Sequence, residues 1–127
     1  MLAFIKSRIR SFRCAFSGLG YVLRTQKNAW IHIIATILVF ILAFWLKLQT
    51  HDWAILLLTI GTVWTAEFIN TALEAVVDLA SPQKHPLAKV GKDVGAAAVL
   101  ISASSSVLIG LLILGPPLLA RIQSLFH

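Results

Sequence analysis

The chain has 127 residues, of which 58% are hydrophobic and 13% charged, with a formal net charge of +6 and a mean hydropathy of +0.87. A soluble domain carries roughly 25% charged residues, so this balance excludes an ordinary water-soluble protein, and the length allows one domain at most, residues 1–127. The single cysteine, Cys14, excludes an intramolecular disulfide and a cysteine metal site; it reads as a small apolar residue on a helix.

Residues 1–24 predict an amphipathic surface helix. Leu2, Ile5, Ile9, Phe12, Phe16, Leu19 and Leu23 recur at three- and four-residue steps and form one stripe at about 100° per residue. Lys6, Arg10, Arg13 and Arg24 lie to one side of it and Arg8 flanks the other. This is the pattern of a helix lying in a membrane interface; the alternative is a soluble-style helix packed on a bundle. Gly18 and Gly20 are expected to weaken or break the helix. Its basic residues recur through Arg24 instead of preceding one short apolar run, so the segment is expected to be mature protein and not a secretory signal.

Three further stretches are long enough to cross a bilayer, which takes about 20 residues per helix. They cover about 29–48, 53–80 and 87–115. Asp52 is expected to N-cap the second, Pro86 to occupy the first turn of the third, and Gly115-Pro116-Pro117 to end it. The sequence thus predicts an all-α integral membrane protein of one surface helix and three spans. Lys6, Arg8, Arg10, Arg13, Arg24 and Lys27 precede the first span, and Lys84, Lys89 and Lys92 lie around the second loop. Only Lys47 and Arg121 fall on the other side. By the positive-inside rule the N-terminus and second loop are cytoplasmic and the C-terminus is outside. Basic residues gathered at the flanks of spans, with no basic stripe interleaved with aromatics, argue against a nucleic-acid partner.

The second span carries the polar groups. In AEFINTALEAVVDL, residues 66–79, Glu67, Asn70, Thr71, Glu74 and Asp78 share one helical face roughly 100° wide and about 16 Å long. A carboxylate in hydrocarbon costs roughly 2.5–3.5 kcal/mol, and three on one face repel unless a cation intervenes. The cation could be a divalent metal, which takes oxygen ligands, or Lys92, with Lys89 nearby. In HPLAKVGKDVGAAAVL, residues 85–100, Gly91, Gly95 and the alanine run make a slim helix that lets backbones approach, and Lys92-Asp93 supplies a cation and an acceptor beside the acidic face. Gly91-Lys92 is no phosphate loop: the upstream glycine and the following Ser or Thr are missing. Any nucleotide site must therefore be built from side chains on helices.

The motif Glu67-x-x-Asn70-Thr71-x-x-Glu74-x-x-x-Asp78, joined through a short basic loop to Lys92-Asp93, resembles the prokaryotic diacylglycerol kinase family, which includes the undecaprenol kinases. The resemblance covers nearly the whole chain. It implies a homotrimeric bundle in the cell membrane, with sites shared between subunits, that phosphorylates a lipid hydroxyl with MgATP. Carried onto this chain, it implies Glu67 as general base, Glu74 as a magnesium ligand and Asn70 orienting the reacting groups. It also implies Lys92 on the ATP phosphates, with Asp78 and Asp93 near the nucleotide. Phosphoryl transfer asks for charge neutralisation and alignment more than covalent chemistry, which suits such a set.

Gln26 departs from that pattern. It stands where the family has a second magnesium-ligating glutamate, and an amide carbonyl can coordinate magnesium but brings no charge. Asn28, His32 and Leu79 resemble the Gram-positive and cyanobacterial branch, some members of which prefer undecaprenol. His32 either lines the lipid or nucleotide site or makes a polar contact at the interface. Two other classes compete with a kinase: a small oligomeric proton-coupled transporter using Glu67, and a structural subunit in which the polar face is interhelical glue.

Overall fold

In hydrocarbon every backbone N–H and C=O needs a partner within its own segment, which leaves an apolar chain of this length the choice of helices. The computed structural model describes residues 1–125, apart from the side chains of Leu2 and Ala3. Leu2 of the expected stripe, and Phe126 and His127 at the end of the expected domain, lie outside the described residues. Four helices follow in order: α1 Leu2–Thr25, α2 Lys27–Trp45, α3 Thr50–Ala80 and α4 Pro86–Gln123. The last three are each long and apolar enough to cross a membrane.

Helix α1 is continuous through Gly18 and Gly20, where a break was expected. A glycine costs a helix only about 1 kcal/mol relative to alanine, and neighbouring turns absorb it. Ile5, Ile9, Phe12, Phe16 and Leu19 are all exposed, so the apolar row is uncovered within this chain. Among the described residues of α1 only Val22 is buried, close to the point where the chain enters α2. One extended residue separates the two helices, and it is Gln26, at φ −100° and ψ 112°.

Helix α2 ends in a turn in which Leu48 N–H donates to Ala43 C=O and Lys47 N–H to Phe44 C=O, with Lys47 at φ 54°. This is the left-handed helix end usually given to glycine. Helix α3 starts at Thr50 with Gln49 in the cap position, three residues before the expected start. Asp52 is therefore no N-cap; it lies in the first turn, where its charge still complements the helix dipole, and it contacts His51 Nε2 at 3.0 Å. Pro86 does open α4, behind an N-cap in which His85 Nδ1 accepts from Leu87 N–H at 3.2 Å.

The expected stop at Gly115 does not occur. Helix α4 passes through Pro116 and Pro117 to Gln123. The two prolines withhold only the bonds to the carbonyls of Leu112 and Ile113, whereas an unwound segment at that depth would strand several more backbone groups.

Helices α3 and α4 pack along most of their shared length, while α2 touches both more sparingly. At one end all three meet around Ala43, Leu56 and Leu114, with Trp53 and Leu46 closing over them. Phe44 stacks on Trp53 with ring centroids 4.6 Å apart. Ala43 is fully buried in this contact. Without a hydrophobic drive between helices in lipid, such close packing carries the association. Ala43→Leu is expected to wedge α2 away from α3 and α4 and to cost about 1–3 kcal/mol. A lowered thermal midpoint in detergent micelles, with helical content retained, checks this.

Candidate active site

The opposite end of the three-helix contact is polar. In the second half of α3 the buried residues are Val63, Glu67, Asn70 and Thr71, so past Val63 it is the polar face that turns inward. Glu67 is 1% exposed, Glu74 is half-buried and Asp78 is exposed. Counted from Asp52 along an untilted axis, Glu67 lies about 22 Å away and Glu74 and Asp78 about 33 and 39 Å. A hydrocarbon layer about 30 Å thick that began at Asp52 would reach past Glu67 but not to Glu74 or Asp78.

Two amides converge on Glu74. Gln26 Nε2, at the α1–α2 junction, donates to Glu74 Oε2 at 3.2 Å, and Asn70 Nδ2, one turn away on α3, donates to Glu74 Oε1 at 3.2 Å. Asn70 fits there because Gly95 of α4 has no side chain. A Cβ at position 95 would collide with Asn70 Oδ1 and press on Leu73 Cδ2 at 3.1 Å. The small-residue stripe of α4 thus makes room for a polar group as well as for a backbone. Glu67, Asn70, Glu74 and Gln26 line one cleft of about 250 Å³, together with Asn28 and His32. Of the four buried side-chain atoms without a hydrogen-bond partner among the described residues, three belong to residues lining this cleft: Glu67 Oε2, Asn70 Oδ1 and His32 Nε2. Buried polar atoms are normally paired, and in a cleft such orphans mark places where a ligand atom is received.

The remaining expected site residues lie elsewhere. Asp78, Lys92 and Asp93 line a second, wider cleft of about 680 Å³ beneath the α3–α4 loop, with Ser81, Lys84 and His85. There Lys92 Nζ contacts Asp78 Oδ1 at 2.6 Å and Lys89 Nζ contacts Asp93 Oδ2 at 2.6 Å. Lys92 therefore does not sit against Glu67 or Glu74; its partner is the last acid of the stripe. Exposed pairs of this kind are weak, so either lysine can exchange its carboxylate for another anion. The two clefts are neighbours, since Glu74 and Asp78 are one helical turn apart.

Glu74 is the candidate position for a hard divalent cation. Among the described residues no group of three His, Cys, Asp or Glu side chains converges on one point. One carboxylate flanked by two amides is nevertheless a suitable partial set for magnesium, which binds through one or two carboxylates and completes its shell with substrate phosphates and water. Asn70 Oδ1 is already unpartnered, and Gln26, turned about its last torsion, offers its oxygen in place of its nitrogen.

Sequence reasoning left open where His32 belongs. It lies inside the first cleft, its Nε2 3.8 Å from Glu67 Oε2. The available signal was a lone imidazole in an otherwise apolar span.

A family model described as prokaryotic diacylglycerol kinase matches residues 13–114. A diacylglycerol kinase of Synechocystis sp. is 44% identical over 111 residues, 87% of this chain and 63% of that relative. An undecaprenol kinase of Bacillus subtilis is 41% identical over 109 residues, 86% of this chain and 89% of the relative. A diacylglycerol kinase of Escherichia coli is 33% identical over 90 residues, 65% of this chain and 74% of the relative. The chain therefore spans just under two thirds of the Synechocystis protein and most of the Bacillus one.

The Gly95–Asn70 contact makes a quantitative expectation. Gly95→Ala should displace the Asn70 amide from Glu74 and destabilise the protein, and Asn70→Ala should remove the obstacle. A double-mutant cycle on thermal stability in micelles is expected to return a coupling of about 0.5–3 kcal/mol; strict additivity would refute the contact.

Proposed function

The chain belongs to the prokaryotic diacylglycerol kinase family of lipid kinases, and on that premise we propose that it transfers the γ-phosphoryl group of ATP to the hydroxyl of a membrane lipid, with Glu67 as general base. One observation carries the assignment of the base. Glu67 is wholly buried in a membrane helix, with an unpartnered oxygen facing a cleft that also holds Glu74. A lipid hydroxyl reaches that depth from the bilayer, and ATP reaches the headgroup level from the cytoplasmic side, where the Lys and Arg count puts the α3–α4 loop.

In this reading Glu67 removes the hydroxyl proton as the lipid oxygen attacks the γ-phosphorus, and the bond to the β,γ-bridging oxygen breaks, releasing ADP. Asn70 and Gln26 orient the Glu74 carboxylate by the two hydrogen bonds already made. Magnesium would be held by Glu74 with the amide oxygens of Gln26 and Asn70, and when bound it neutralises phosphate charge. Lys92 exchanges Asp78 for the ATP phosphates, and Asp78 and Asp93, so released, face the nucleotide from the wider cleft. The family assignment replaces the proton-coupled transporter that a lone intramembrane glutamate allows.

A homotrimer with sites shared between copies is part of the proposal. Its support is the groove of about 580 Å³ along α3 and α4, lined by small and apolar side chains including Gly61, Ala66, Gly95 and Ala98, which fits a neighbouring helix in the manner of small-residue membrane interfaces. The exposed apolar row of α1 supports the reading that this helix lies in the cytoplasmic interface.

Purified protein in micelles, given MgATP and either diacylglycerol or undecaprenol, is expected to release ADP in a lipid-dependent manner with at least one of them; release with neither overturns the kinase reading. Glu67→Gln should assemble normally and lose about 10²–10⁴-fold in kcat, whereas a structural-glue role would show as lost assembly. Gln26→Glu adds a charge beside Glu74 and should lower the magnesium concentration for half-maximal rate; an unchanged magnesium dependence would remove Gln26 from the ligand set.

A further inference from the structure

The mechanism above leaves unused the one titratable side chain that faces Glu67. His32 Nε2 of α2 and Glu67 Oε2 of α3 stand 3.8 Å apart, too far for a hydrogen bond. Both atoms are buried, and neither has another partner among the described residues. Burying two polar atoms unpaired is costly, and closing the gap by about 1 Å would satisfy both. Catalytic hydrogen bonds are often long before substrate arrives and tighten in the complex.

The imidazole is held in place by its surroundings. Trp64 meets it edge-on, with ring centroids 6.0 Å apart. Trp64 Nε1 donates to Thr36 Oγ1 at 3.4 Å, and Thr36 Oγ1 donates to the His32 carbonyl at 2.7 Å. Behind the ring is a second cavity of about 60 Å³ that includes Thr36, Trp64 and Ser106 in its lining. His32 is the residue common to this cavity and the Glu67 cleft. Its lining is mainly apolar, with Ala35, Val39, Ile60 and Val63, and its volume leaves room for a water held by the few polar groups present.

The other charged groups are few. From α3 the cleft receives Glu67 and, further along, Glu74; α2 adds only the uncharged Asn28, with Gln26 at its start; α4 lines the cleft with Ala96, Val99, Leu100 and Ala103, none titratable; α1 lines neither space. Once Glu67 has taken a proton, the imidazole is thus the nearest group able to accept it.

We propose that His32 is a positioning residue for the transfer: it pairs with Glu67 and relieves it of the proton taken from the lipid hydroxyl. The inference rests on the kinase reading. The lipid O–H bond breaks as the lipid oxygen bonds to the γ-phosphorus. The bridging P–O bond breaks, and its electron pair leaves with ADP. The proton passes to Glu67, whose O–H then donates to the lone pair of Nε2 in the Nδ1–H tautomer of neutral His32. Transfer to Nε2 leaves a carboxylate–imidazolium pair that loses the proton to water. Glu67 is thereby reset as a base in a site that water does not reach directly.

His32→Gln keeps a nitrogen donor at similar reach but cannot carry a proton, and His32→Leu lacks both. In the micellar assay kcat should fall about 10-fold for the glutamine and about 100-fold for the leucine variant, with KM for ATP unchanged. The shape of the pH–rate profile should differ between wild type and His32→Gln. Rates within about twofold of wild type for His32→Gln, or superimposable pH profiles, overturn the proposal. A wild type inactive with every lipid instead overturns the kinase reading. The pairing then still has its own readout: the ¹⁵N resonance of His32 Nε2 in labelled protein should differ between wild type and Glu67→Ala, and identical spectra would refute the pair.

Discussion

A carboxylate buried in a membrane helix sets the terms for everything around it. Glu67 is 1% exposed, and neither lipid nor protein offers it the solvation of water. An ionised group in such a place must be answered by other polar groups or by a proton. The answer here is spread over α2, α3 and α4. His32 stands opposite, Asn70 and Gln26 tie up the next acid, and Gly95 leaves the space that Asn70 occupies. The spacing of α3 and α4 at this level is therefore set by a polar side chain lodged over a glycine, and the end of α2 is drawn in by an amide on Glu74.

The same helix carries its acids through a change of medium. Helix α3 has 31 residues, about 46 Å at helical rise, well beyond the hydrocarbon thickness of about 30 Å. In the proposed reading Glu67 lies at hydrocarbon depth, Glu74 at the boundary and Asp78 in water, the levels that a reaction between a lipid and a soluble nucleotide requires. Two clefts accompany them: one of about 250 Å³ around Glu67, and one of about 680 Å³ under the loop with the Lys92–Asp78 and Lys89–Asp93 pairs.

What lies outside the site is economical. The three spans share only a small buried apolar cluster, around Ala43, Leu56 and Leu114, and their outer faces carry large apolar residues such as Ile34, Phe44, Leu108 and Leu112. In lipid, exposed apolar area costs little, so close contacts at Ala43 and Gly95 matter more than the amount buried. Helix α1 presents an apolar row uncovered within this chain.

Much of the architecture was legible in the sequence because it depends on local periodicity and on the solvent. Hydropathy alone gives three spans, the three-to-four-residue steps give α1, and the wheel gives the acidic face of α3, since each needs only a residue's direction about its own axis. The errors came at the ends. Asp52 and Gly115-Pro116-Pro117 look like boundaries by the rules for soluble helices, but in a membrane the cost of stranded backbone groups carries α4 past two prolines. Only the tertiary structure decided which side chains meet: that Gln26, 48 residues away, reaches Glu74, that Lys92 pairs with Asp78 and not with Glu74, and that His32 faces Glu67. Those pairings depend on the rotation and offset of one helix against another. These are fixed by long-range packing at Ala43 and Gly95, and a wheel drawn for a single helix contains no information about them.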